Sequence, residues 1–389
     1  MDTDNLVGTI RIRPSKIDSK TNDNWYRLKN KSFSDKSNKE IHIVYCFKGA
    51  GSSISIKDFE LLKVLGKGSF GKVVQVKKKN NGRIYAVKIL NKKDVVARNE
   101  IEHTLTERNV LVQVDSPFLV GLKYSFQSDT KLYLVMDYVN GGELFFHLQK
   151  SRSFSEERAK FYAAELILAL QHLHEHNVVY RDLKPENVLL DNVGHVALAD
   201  FGLCKEGIDK EDASTFCGTS EYLAPEILAG KSYGIEVDWW SMGILIYELI
   251  NGTPPFYSKN TNQMYRNILT ADLSFPKTMS EEAKSIVTRF LDRNPKTRLG
   301  CGKKGVEEIK EHPFFSNINW DKLLNKQLTP PFKPKVSTES DTSNFDPIFT
   351  NESLKPESQM SPVSPLPSSV QKIFMGFSFD GDKQFEDLE

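Results

Sequence analysis

The sequence predicts an α+β protein of two lobes, a small β-rich N-terminal lobe and a larger α-helical C-terminal lobe, followed by an extended C-terminal tail. Residues 57–135 hold short strand-like runs joined by tight turns. Residues 142–315 carry apolar residues at helical spacing. Pro, Ser, Thr and Asn dominate residues 329–370 without sustained periodicity, which indicates a tail that has no core of its own.

In the N-terminal lobe, the strand signals lie at Phe59–Val64, Val73–Lys77, Ile84–Ile89 and Tyr133–Met136. One helix is predicted near residues 99–114. In the C-terminal lobe, Ser155 followed by two glutamates is typical of a helix start, with the serine as cap and the acids in the first turn. A long helix is therefore predicted over Glu157–His174. The cleft between the two lobes is the expected place for a ligand.

The order of these signals divides the chain into an N-terminal extension at 1–56, a two-lobed domain at 57–315 and a tail at 316–389. In the extension, alternating runs at Thr9–Arg13 and Ile41–Phe47 predict strands. Two alternatives stay open for it: a remnant of a lipid-binding β-sandwich, or a docked or flexible arm.

Charge and composition argue against several classes of protein. Lys and Arg number 52 and Asp and Glu number 51, so no basic excess favours nucleic acid. No stretch approaches the ~20 apolar residues of a transmembrane helix. The four cysteines form neither a CxxC pair nor a zinc-ligand spacing, which favours reduced thiols. We therefore expect a cytoplasmic protein that binds no nucleic acid and has no transmembrane segment, with the nucleus and the membrane periphery left open.

A glycine-rich run follows the first predicted strand of the small lobe. It reads Gly66-Lys67-Gly68-Ser69-Phe70-Gly71-Lys72-Val73. Three glycines at this spacing let the backbone turn tightly, so that N–H groups can approach phosphates with no Cβ in the way. A dinucleotide-binding turn would open a helix directly after the glycines, whereas strand-like residues follow here. The run therefore favours a hairpin folded over ATP.

A lysine, Lys88, ends the apolar strand that follows this hairpin. Its charge needs a partner if it is buried. The alternative is a surface lysine whose stem lies along the protein. Because Lys88 comes 17 residues after Gly71, we interpret it as a phosphate-binding lysine, with Glu107 on the predicted helix as its partner.

Two polar motifs follow in the C-terminal lobe. The first is Tyr180-Arg181-Asp182-Leu183-Lys184-Pro185-Glu186-Asn187, a run whose polarity would be costly to bury without a function. Asp182 suits acceptance of a substrate hydroxyl proton, Lys184 the transferring phosphate, and Asn187 a magnesium ion. The second begins at Asp200, 18 residues after Asp182, and Asp200 would bind magnesium that bridges the β- and γ-phosphates of ATP.

These motifs, in this order and with Ala224-Pro225-Glu226 after them, resemble the signature set of the protein kinases. The resemblance extends from residue 59 to about residue 380. It implies the bilobal protein-kinase fold and a non-specific serine/threonine protein kinase that uses ATP and Mg²⁺. Catalytic roles fall on Asp182, Lys184, Lys88 and Glu107, and metal binding falls on Asn187 and Asp200. The residues implied around ATP are Leu65, Gly66, Lys67, Gly68, Ser69, Phe70, Gly71, Lys72, Val73, Ala86, Lys88, Met136, Asp137, Val139 and Glu143.

Finer features resemble the AGC group, in particular protein kinase B and the serum- and glucocorticoid-regulated kinases, between which the sequence does not decide. The catalytic loop opens with Tyr180 in place of histidine, and Asp200–Ile208 and Thr215–Glu226 are similar to theirs. Asn344–Asp346 looks like the tail segment that lies across the ATP cleft, and Phe374–Phe379 like the hydrophobic motif. No residues are left for a pleckstrin-homology domain ahead of the kinase, so a relative without one is expected.

The resemblance also implies contacts that hold the catalytic residues in place. Glu226 would pair with Arg298, and Asp238 would bind the backbone of the catalytic loop. An apolar stack between the lobes is implied for Leu111, Leu122, Tyr180 and Phe201.

Four residues are implied in substrate binding: Glu143, Glu186, Glu248 and Thr219. The three glutamates match positions that read arginine ahead of the acceptor, at the third residue before it, with the fifth left open. The alternative for isolated exposed acids is a solvated surface. Thr219 would contact Asp182. One departure from the family is Ser220, where proline is usual, and losing the fixed φ of proline puts acceptor selection in doubt.

Phosphorylation sites are implied at Thr215, Ser378 and either Ser361 or Ser364. Arg181, Lys205 and His103 match the usual cationic partners of the first. The implied upstream enzymes are a phosphoinositide-dependent kinase and a target-of-rapamycin complex. The implied substrates are proteins, and the enzyme itself is expected to be a monomer.

Rival interpretations remain for some features. A pseudokinase would lack one of the catalytic residues, all of which are present, and a small-molecule kinase would not need the Ala224–Glu226 motif. Cys204 and Cys217 flank the activation loop as a redox pair or, as we expect, as neutral thiols.

Overall fold

The computed structural model describes residues 54–68, 71–206, 217–354 and 366–381, and the backbone alone of residues 21–27, 40–46 and 369. The chain divides into two units, Met1–Ile54 and Ser55–Glu389. In the first unit, β1 (Thr21–Arg27) pairs with β2 (Glu40–Cys46) as an antiparallel hairpin. The predicted strand at Ile41–Phe47 falls on β2, while Thr9–Arg13 lies outside the described residues.

The second unit holds a β-sheet in its N-terminal lobe. The strands of the second unit as a whole are β3 (Phe59–Gly68), β4 (Gly71–Lys78), β5 (Ile84–Asn91), β6 (Leu122–Gln127), β7 (Lys131–Asp137), β8 (Val178–Val179), β9 (Val188–Leu190), β10 (Val196–Leu198), β11 (Lys205–Glu206) and β12 (Phe379–Asp380). Six of them form one antiparallel sheet in the spatial order β12-β6-β7-β5-β4-β3. The tail therefore contributes an edge strand to the small lobe.

Helices make up most of the C-terminal lobe. The second unit contains the helices α1 (Lys92–Ala97), α2 (Ile101–Gln113), α3 (Leu144–Ser151), α4 (Glu156–Glu175), α5 (Pro225–Leu228), α6 (Glu236–Asn251), α7 (Thr261–Thr270), α8 (Glu281–Phe290), α9 (Val306–Lys310), α10 (Trp320–Leu324), α11 (Pro347–Thr350) and α12 (Ser368–Gln371). Of these, α1 and α2 belong to the small lobe and α10 to α12 belong to the tail. The predicted α+β fold with a β-rich lobe and an α-helical lobe is confirmed. Among the described residues, no helix combines the length and the apolar character that crossing a bilayer requires.

Local sequence signals explain where two of the central helices lie. Ser155 caps α4 as predicted, because its side chain accepts a hydrogen bond from the backbone N–H of Arg158. Every residue of α6 from Val237 to Leu249 is buried, so this helix forms the centre of the large lobe and is packed on all sides. One continuous hydrophobic core joins these helices to the small lobe.

Two details of the small lobe differ from prediction. The single helix near residues 99–114 is preceded by a separate short helix, α1, and the predicted strands omit β6. Strand β6 escapes the pattern because Tyr124 and Ser125 stand in a buried run. Their polar groups are satisfied by tertiary contacts, Ser125 with the tail carbonyl of Phe377 and Tyr124 with Lys78.

Candidate active site

Three charged side chains meet in the cleft between the lobes. The ammonium group of Lys88, on β5, lies 2.6 Å from the Glu107 carboxylate of α2 and 3.1 Å from the Asp200 carboxylate. Although burial would lower the pKa of Lys88, the negative charges of Asp200 and Glu107 raise it, so the lysine stays protonated. The same lysine lowers the pKa of Asp200. The pairing of Lys88 with Glu107 was predicted from the sequence, whereas its contact with the ionised carboxylate of Asp200 was not.

The catalytic loop forms a second hydrogen-bonded cluster around Asp182. One carboxylate oxygen of Asp182 accepts from Lys184 Nζ at 2.8 Å and from Asn187 Nδ2 at 2.7 Å. The other oxygen accepts from the hydroxyl of Thr219 at 2.9 Å, and Lys184 also donates to that hydroxyl. The Asp182 carboxylate is therefore a hydrogen-bond acceptor held by donors from two segments that are far apart in sequence.

The backbone of this loop is held in an unusual conformation by Asp238. Arg181 and Asp200 have φ values of +68° and +55°, a region that residues other than glycine seldom adopt. The buried carboxylate of Asp238, on α6, accepts from the backbone N–H groups of Tyr180 at 2.9 Å and of Arg181 at 2.8 Å. These bonds oppose the strain at Arg181 and fix the direction of the loop.

The Ala-Pro-Glu segment is anchored by a buried ion pair. Arg298, which is fully buried, donates to both carboxylate oxygens of Glu226, at 2.6 and 2.9 Å. The four residues of the predicted apolar stack, Leu111, Leu122, Tyr180 and Phe201, are all buried in the common core. The rings of Tyr180 and Phe201 meet edge to face with centroids 5.8 Å apart.

The glycine-rich run forms the hairpin between β3 and β4. Gly68 pairs with Gly71 at its end, and Ser69 and Phe70 at the tip lie outside the described residues. A Cβ on Gly66 or Gly68 would meet nothing within 4 Å, so both glycines border open space. A Cβ on Gly71 would lie 1.8 Å from the carbonyl oxygen of Ile89. Gly71 is therefore required by close packing of β4 on β5, a reason that the sequence does not reveal.

The other residues expected around ATP lie on β3, β4, β5 and β7 or directly after β7. Leu65 and Ala86 are buried on β3 and β5, and Met136 and Asp137 end β7. The backbone N–H of Asp137 is bonded to Gly121, while its carboxylate pairs with Lys123 at 3.1 Å. Lys67 and Lys72 face each other across the hairpin, and Lys67 reaches Glu352 of the tail at 2.7 Å. Val73 lies on β4, and Val139 and Glu143 follow β7.

The geometry of Asn187 and Asp200 suits magnesium. The amide nitrogen of Asn187 is engaged by Asp182, which leaves its oxygen to bind a cation. The Asp200 side chain is 53% exposed to the cleft. Within the described ranges no cluster of three or more Asp, Glu, His or Cys side chains could hold a metal without further ligands. Proteins usually hold Mg²⁺ through one or two carboxylates together with substrate phosphates, and Asp200 supplies a carboxylate of this kind.

Comparison with known proteins identifies the family. The protein kinase domain family matches residues 59–315, which is more than half of the chain. The chain belongs to the protein kinase family. A second match, to the protein kinase C terminal domain, covers residues 336–379, in the region where the AGC-type tail was predicted.

The individual proteins to which this kinase is similar are named as serine/threonine protein kinases. Serine/threonine-protein kinase gad8 of Schizosaccharomyces pombe is 52% identical over 381 residues, which cover 97% of this chain and 65% of that protein. The RAC family serine/threonine-protein kinase homolog of Dictyostelium discoideum is 51% identical over 333 residues, covering 85% and 74%. Serine/threonine protein kinase ypkA of Aspergillus fumigatus is 54% identical over 331 residues, covering 84% and 51%.

The chain thus spans about half to three quarters of the length of these relatives. The prediction of an AGC-type serine/threonine protein kinase is confirmed at the level of the family.

Of the three glutamates predicted to bind arginine, Glu186 lies close enough to act on both of the others. Burial and the negative charges of Glu186 and Glu221 raise the pKa of Glu248 to about 8. Burial also raises the pKa values of Glu143 and Glu186, and Glu143 is further affected by Glu186 and Asp346. These three side chains therefore form an acidic cluster, in which the positive charge of Lys184 acts on Glu186.

Two members of this neighbourhood were not predicted. Asp346 of the tail and Glu221, which follows Ser220 in the segment that we call the acceptor loop (residues 217–223), add negative charge to it. Asp346 lies in the tail segment that was singled out for the ATP cleft, but its approach to Glu143 depends on the path of the tail. That path is set by Phe345, which stacks on Tyr138 at 5.8 Å, and by Asn344, which donates to the carbonyl of Asn140 at 3.1 Å.

Ser220, which stands where the family usually has proline, makes a side-chain hydrogen bond. Its hydroxyl accepts a hydrogen bond from Tyr265 of α7 at 3.4 Å. This side-chain bond tethers the acceptor loop where the family commonly uses a proline ring. Of the two cysteines beside the activation loop, Cys204 is buried and its thiol pKa is raised by that burial, and Cys217 contacts the Tyr233 hydroxyl at 3.8 Å.

The expected regulatory sites are only partly described. Thr215, Ser361 and Ser364 lie outside the described residues. Ser378 is exposed on the docked tail, between the buried side chain of Phe377 and the half-buried one of Phe379. Of the predicted partners of Thr215, His103 contacts Glu100 at 2.6 Å and Arg181 donates to the carbonyl groups of Leu203 and Cys204. Lys205 lies on β11, which pairs with β8.

Proposed function

We propose that this kinase transfers the γ-phosphoryl group of ATP to serine or threonine hydroxyls of proteins in which arginine precedes the acceptor. The observation that carries the proposal is a pair of side-chain clusters, Lys88 with Asp200 and Asp182 with Asn187, each of them held by side-chain hydrogen bonds or ion pairs. Phosphoryl transfer needs positioning and charge neutralisation more than covalent chemistry, and these groups supply both.

In this proposal each residue has a defined task. Lys88, kept charged by Glu107, holds the α- and β-phosphates. The carboxylate of Asp182 accepts the hydrogen bond of the incoming hydroxyl and then its proton, in the place now occupied by the Thr219 hydroxyl or beside it. Lys184 donates to the transferring phosphate. Asn187 and Asp200 would hold Mg²⁺, which neutralises charge on the β- and γ-phosphates when it is bound.

The proposed arginine preference is supported by the acidic cluster. Burial raises the pKa values of Glu143, Glu186 and Glu248, the charge of Glu186 adds to this effect at the other two, and the charge of Lys184 offsets only part of it at Glu186. A guanidinium group of a substrate would pair with these carboxylates and relieve the repulsion between them. The proposed acceptor sequence therefore has arginine at the third residue before the acceptor, with the fifth as a second position.

This preference is expected to depend on pH. Glu248, with a pKa of about 8, must be ionised to pair with arginine, so the ionised fraction rises from about a tenth at pH 7 to about half at pH 8. We expect kcat/KM for a peptide with arginines at both positions, divided by that for its alanine counterpart, to rise about fivefold over this interval. The measurement is a steady-state assay with radiolabelled ATP.

The matched control for this assay is Glu248→Gln, in which the ratio should be small and unchanged between the two pH values. An alanine peptide phosphorylated as well as the arginine peptide at both pH values would contradict the proposed specificity. No transfer to any peptide would contradict the proposed activity.

We further propose that phosphorylation of Thr215 and of the tail raises activity. A phosphate on Thr215 adds about −1.5 to −2 charge, which Arg181, Lys205 and His103 could bind together. Such binding would couple the activation loop to the catalytic loop and to α2, which carries Glu107. In the proposed pathway a phosphoinositide-dependent kinase modifies Thr215 and a target-of-rapamycin complex modifies the tail, in the cytoplasm.

Thr215→Ala is expected to lower kcat by at least about tenfold relative to the Thr215-phosphorylated enzyme. One charge-assisted hydrogen bond contributes about 1.5–3 kcal/mol, and the variant cannot form it. Peptide phosphorylation and circular dichroism would be measured on both proteins, with the neighbouring Ser214→Ala as control. Equal kcat values for Thr215→Ala and phosphorylated wild type would end this part of the proposal.

A further inference from the structure

The loop between α2 and β6 is bonded to the large lobe. It covers residues 114–121, and we call it the lobe-joining loop. Its second half is held by β10, because the N–H of Val120 donates to the carbonyl of Leu198 at 2.9 Å and the N–H of Leu198 donates to that of Phe118 at 2.8 Å. Its first half follows directly on α2, the helix that carries Glu107. The contacts of this first half therefore hold the end of α2 against the large lobe.

A histidine of the large lobe contacts the first half of the lobe-joining loop. His172, in the last turn of α4, accepts a hydrogen bond at Nε2 from the backbone N–H of Asp115 at 3.2 Å. Asp115 lies two residues after the end of α2. Because a backbone N–H can only donate, His172 must carry its proton on Nδ1 and have an unprotonated Nε2. The contact therefore exists only while this imidazole is neutral.

A second histidine lies beside the first. The ring centroids of His172 and His176 are 4.4 Å apart, and Nδ1 of His176 donates to the backbone carbonyl of His172 at 2.8 Å. Positive charge on both rings at this distance would be repulsive, so each ring disfavours protonation of the other. His174, which lies between them in sequence, faces Asp238 instead, with its Nε2 2.8 Å from that carboxylate. The histidines at 172 and 176 are thus separate from the support of the catalytic loop.

The groups that act on the charge of His172 come from the end of α4 and from the lobe-joining loop. Burial has the largest effect and lowers the pKa of His172, and His176 lowers it further. Glu175 and Asp115 act in the opposite direction, and the Glu175 carboxylate also accepts from Gln171 at 2.8 Å. The net result is a pKa below the ordinary value of about 6.5. Folding thus favours the neutral imidazole, so the contact is fully present above pH 6.5 and is lost as the pH falls through the lowered pKa.

We propose that His172 is a positioning residue that holds the end of α2 against the large lobe at neutral pH and releases it when the imidazole is protonated. Release loosens the helix that brings Glu107 to within 2.6 Å of Lys88, so acid weakens the binding of ATP phosphates by that lysine. The proposal rests on the proposed function only in treating this pair as part of the phosphate-binding site. An acceptor that does not titrate, such as an amide oxygen, would give the same contact without the dependence on pH.

Hydrogen exchange at the backbone amide of Asp115 tests the proposal. It is measured in the full chain by mass spectrometry with fragmentation, at pH 8 and pH 5. The rate in each variant is divided by the wild-type rate at the same pH, which removes the pH dependence of the exchange chemistry itself. His172→Ala has no acceptor, so we expect it to exchange about two- to tenfold faster than the wild type at pH 8 and as fast as the wild type at pH 5.

Two further variants separate the titration from the contact. His172→Gln offers an amide oxygen that does not titrate, so we expect wild-type exchange at pH 8 and about two- to tenfold slower exchange than the wild type at pH 5. His176→Gln removes the repulsion, so the wild-type contact should be lost at a higher pH than before. Exchange in the buried helix α6 is measured alongside and is expected to be equal in all variants, which excludes general unfolding.

The link to the active site is read from the KM for ATP. Between pH 8 and pH 5 we expect KM to rise about two- to tenfold more in the wild type than in His172→Gln. A His172→Ala ratio of one at both pH values would overturn the contact, and a raised ratio that is the same at both would overturn its titration. Equal changes of KM in the wild type and His172→Gln would overturn the coupling to Glu107. Because exchange is measured without ATP or peptide, failure of the proposed kinase reaction would leave the exchange result readable.

Discussion

Asp182→Asn is expected to lower kcat for peptide phosphorylation by about 10²–10⁴-fold. One oxygen of Asp182 accepts hydrogen bonds from both Lys184 and Asn187. An asparagine that places its oxygen there must turn its NH₂ group to Thr219, and the opposite orientation sets donors against donors. In either orientation the amide cannot take up the proton of the incoming hydroxyl. The loss is thus expected in the chemical step.

Three measurements separate this loss from a general effect of the mutation. Single-turnover transfer from radiolabelled ATP should slow as much as kcat, while ATP affinity and the thermal midpoint stay close to the wild-type values. Asp272→Asn makes the same chemical change at an exposed site between α7 and α8 and should be fully active. Activity of Asp182→Asn within a few-fold of the wild type would rule out Asp182 as the proton acceptor.

Arg298→Ala is expected to destabilise the large lobe by about 3–5 kcal/mol, because it leaves the buried carboxylate of Glu226 without its partner. The side chain of Arg298 is 0% exposed and that of Glu226 is 4% exposed. Besides the two bonds to Glu226, Arg298 donates to the backbone carbonyl groups of Glu236 and Asp292. All four acceptors would lose their donor at once.

Urea unfolding followed by tryptophan fluorescence would measure this effect, since Trp239 and Trp240 lie in α6 and the Trp240 ring is 5.2 Å from the guanidinium of Arg298. Lys304→Ala breaks the exposed pair of Lys304 with Glu311 and should leave the unfolding midpoint unchanged. Replacing both buried partners, as Glu226→Leu with Arg298→Met, should recover part of the loss. A midpoint for Arg298→Ala equal to that of Lys304→Ala would show that the pair contributes little.

Much of the site could be predicted because phosphoryl transfer restricts residue type and order. The reaction needs a lysine on a strand, a carboxylate in a polar loop and a second carboxylate after a short strand. Each of these residues occurs once in the sequence at the required spacing. The partners of those residues were also expected, since Glu107, Asp238 and Arg298 match family positions. The contacts of all three are present in the structure.

Other features could not be predicted because they depend on which distant segments meet. The requirement for Gly71 comes from the carbonyl of Ile89 on the neighbouring strand, not from the glycine-rich run itself. The contribution of Asp346 to the acidic cluster depends on how Phe345 stacks on Tyr138. The bond of Tyr265 to Ser220 joins positions 45 apart in sequence.

Motif order and hydropathy pattern were sufficient to establish the two lobes, the glycine-rich hairpin and the identity of the charged residues in the cleft. Those properties depend on residue type and on short spacings along the sequence. Folding alone decides that Lys92, an unremarkable lysine after a strand, becomes a buried cation held between glutamines 244 positions apart. The reason is that burial and hydrogen-bond partnership are properties of the assembled neighbourhood, and a chain reveals that neighbourhood only once its remote segments have packed.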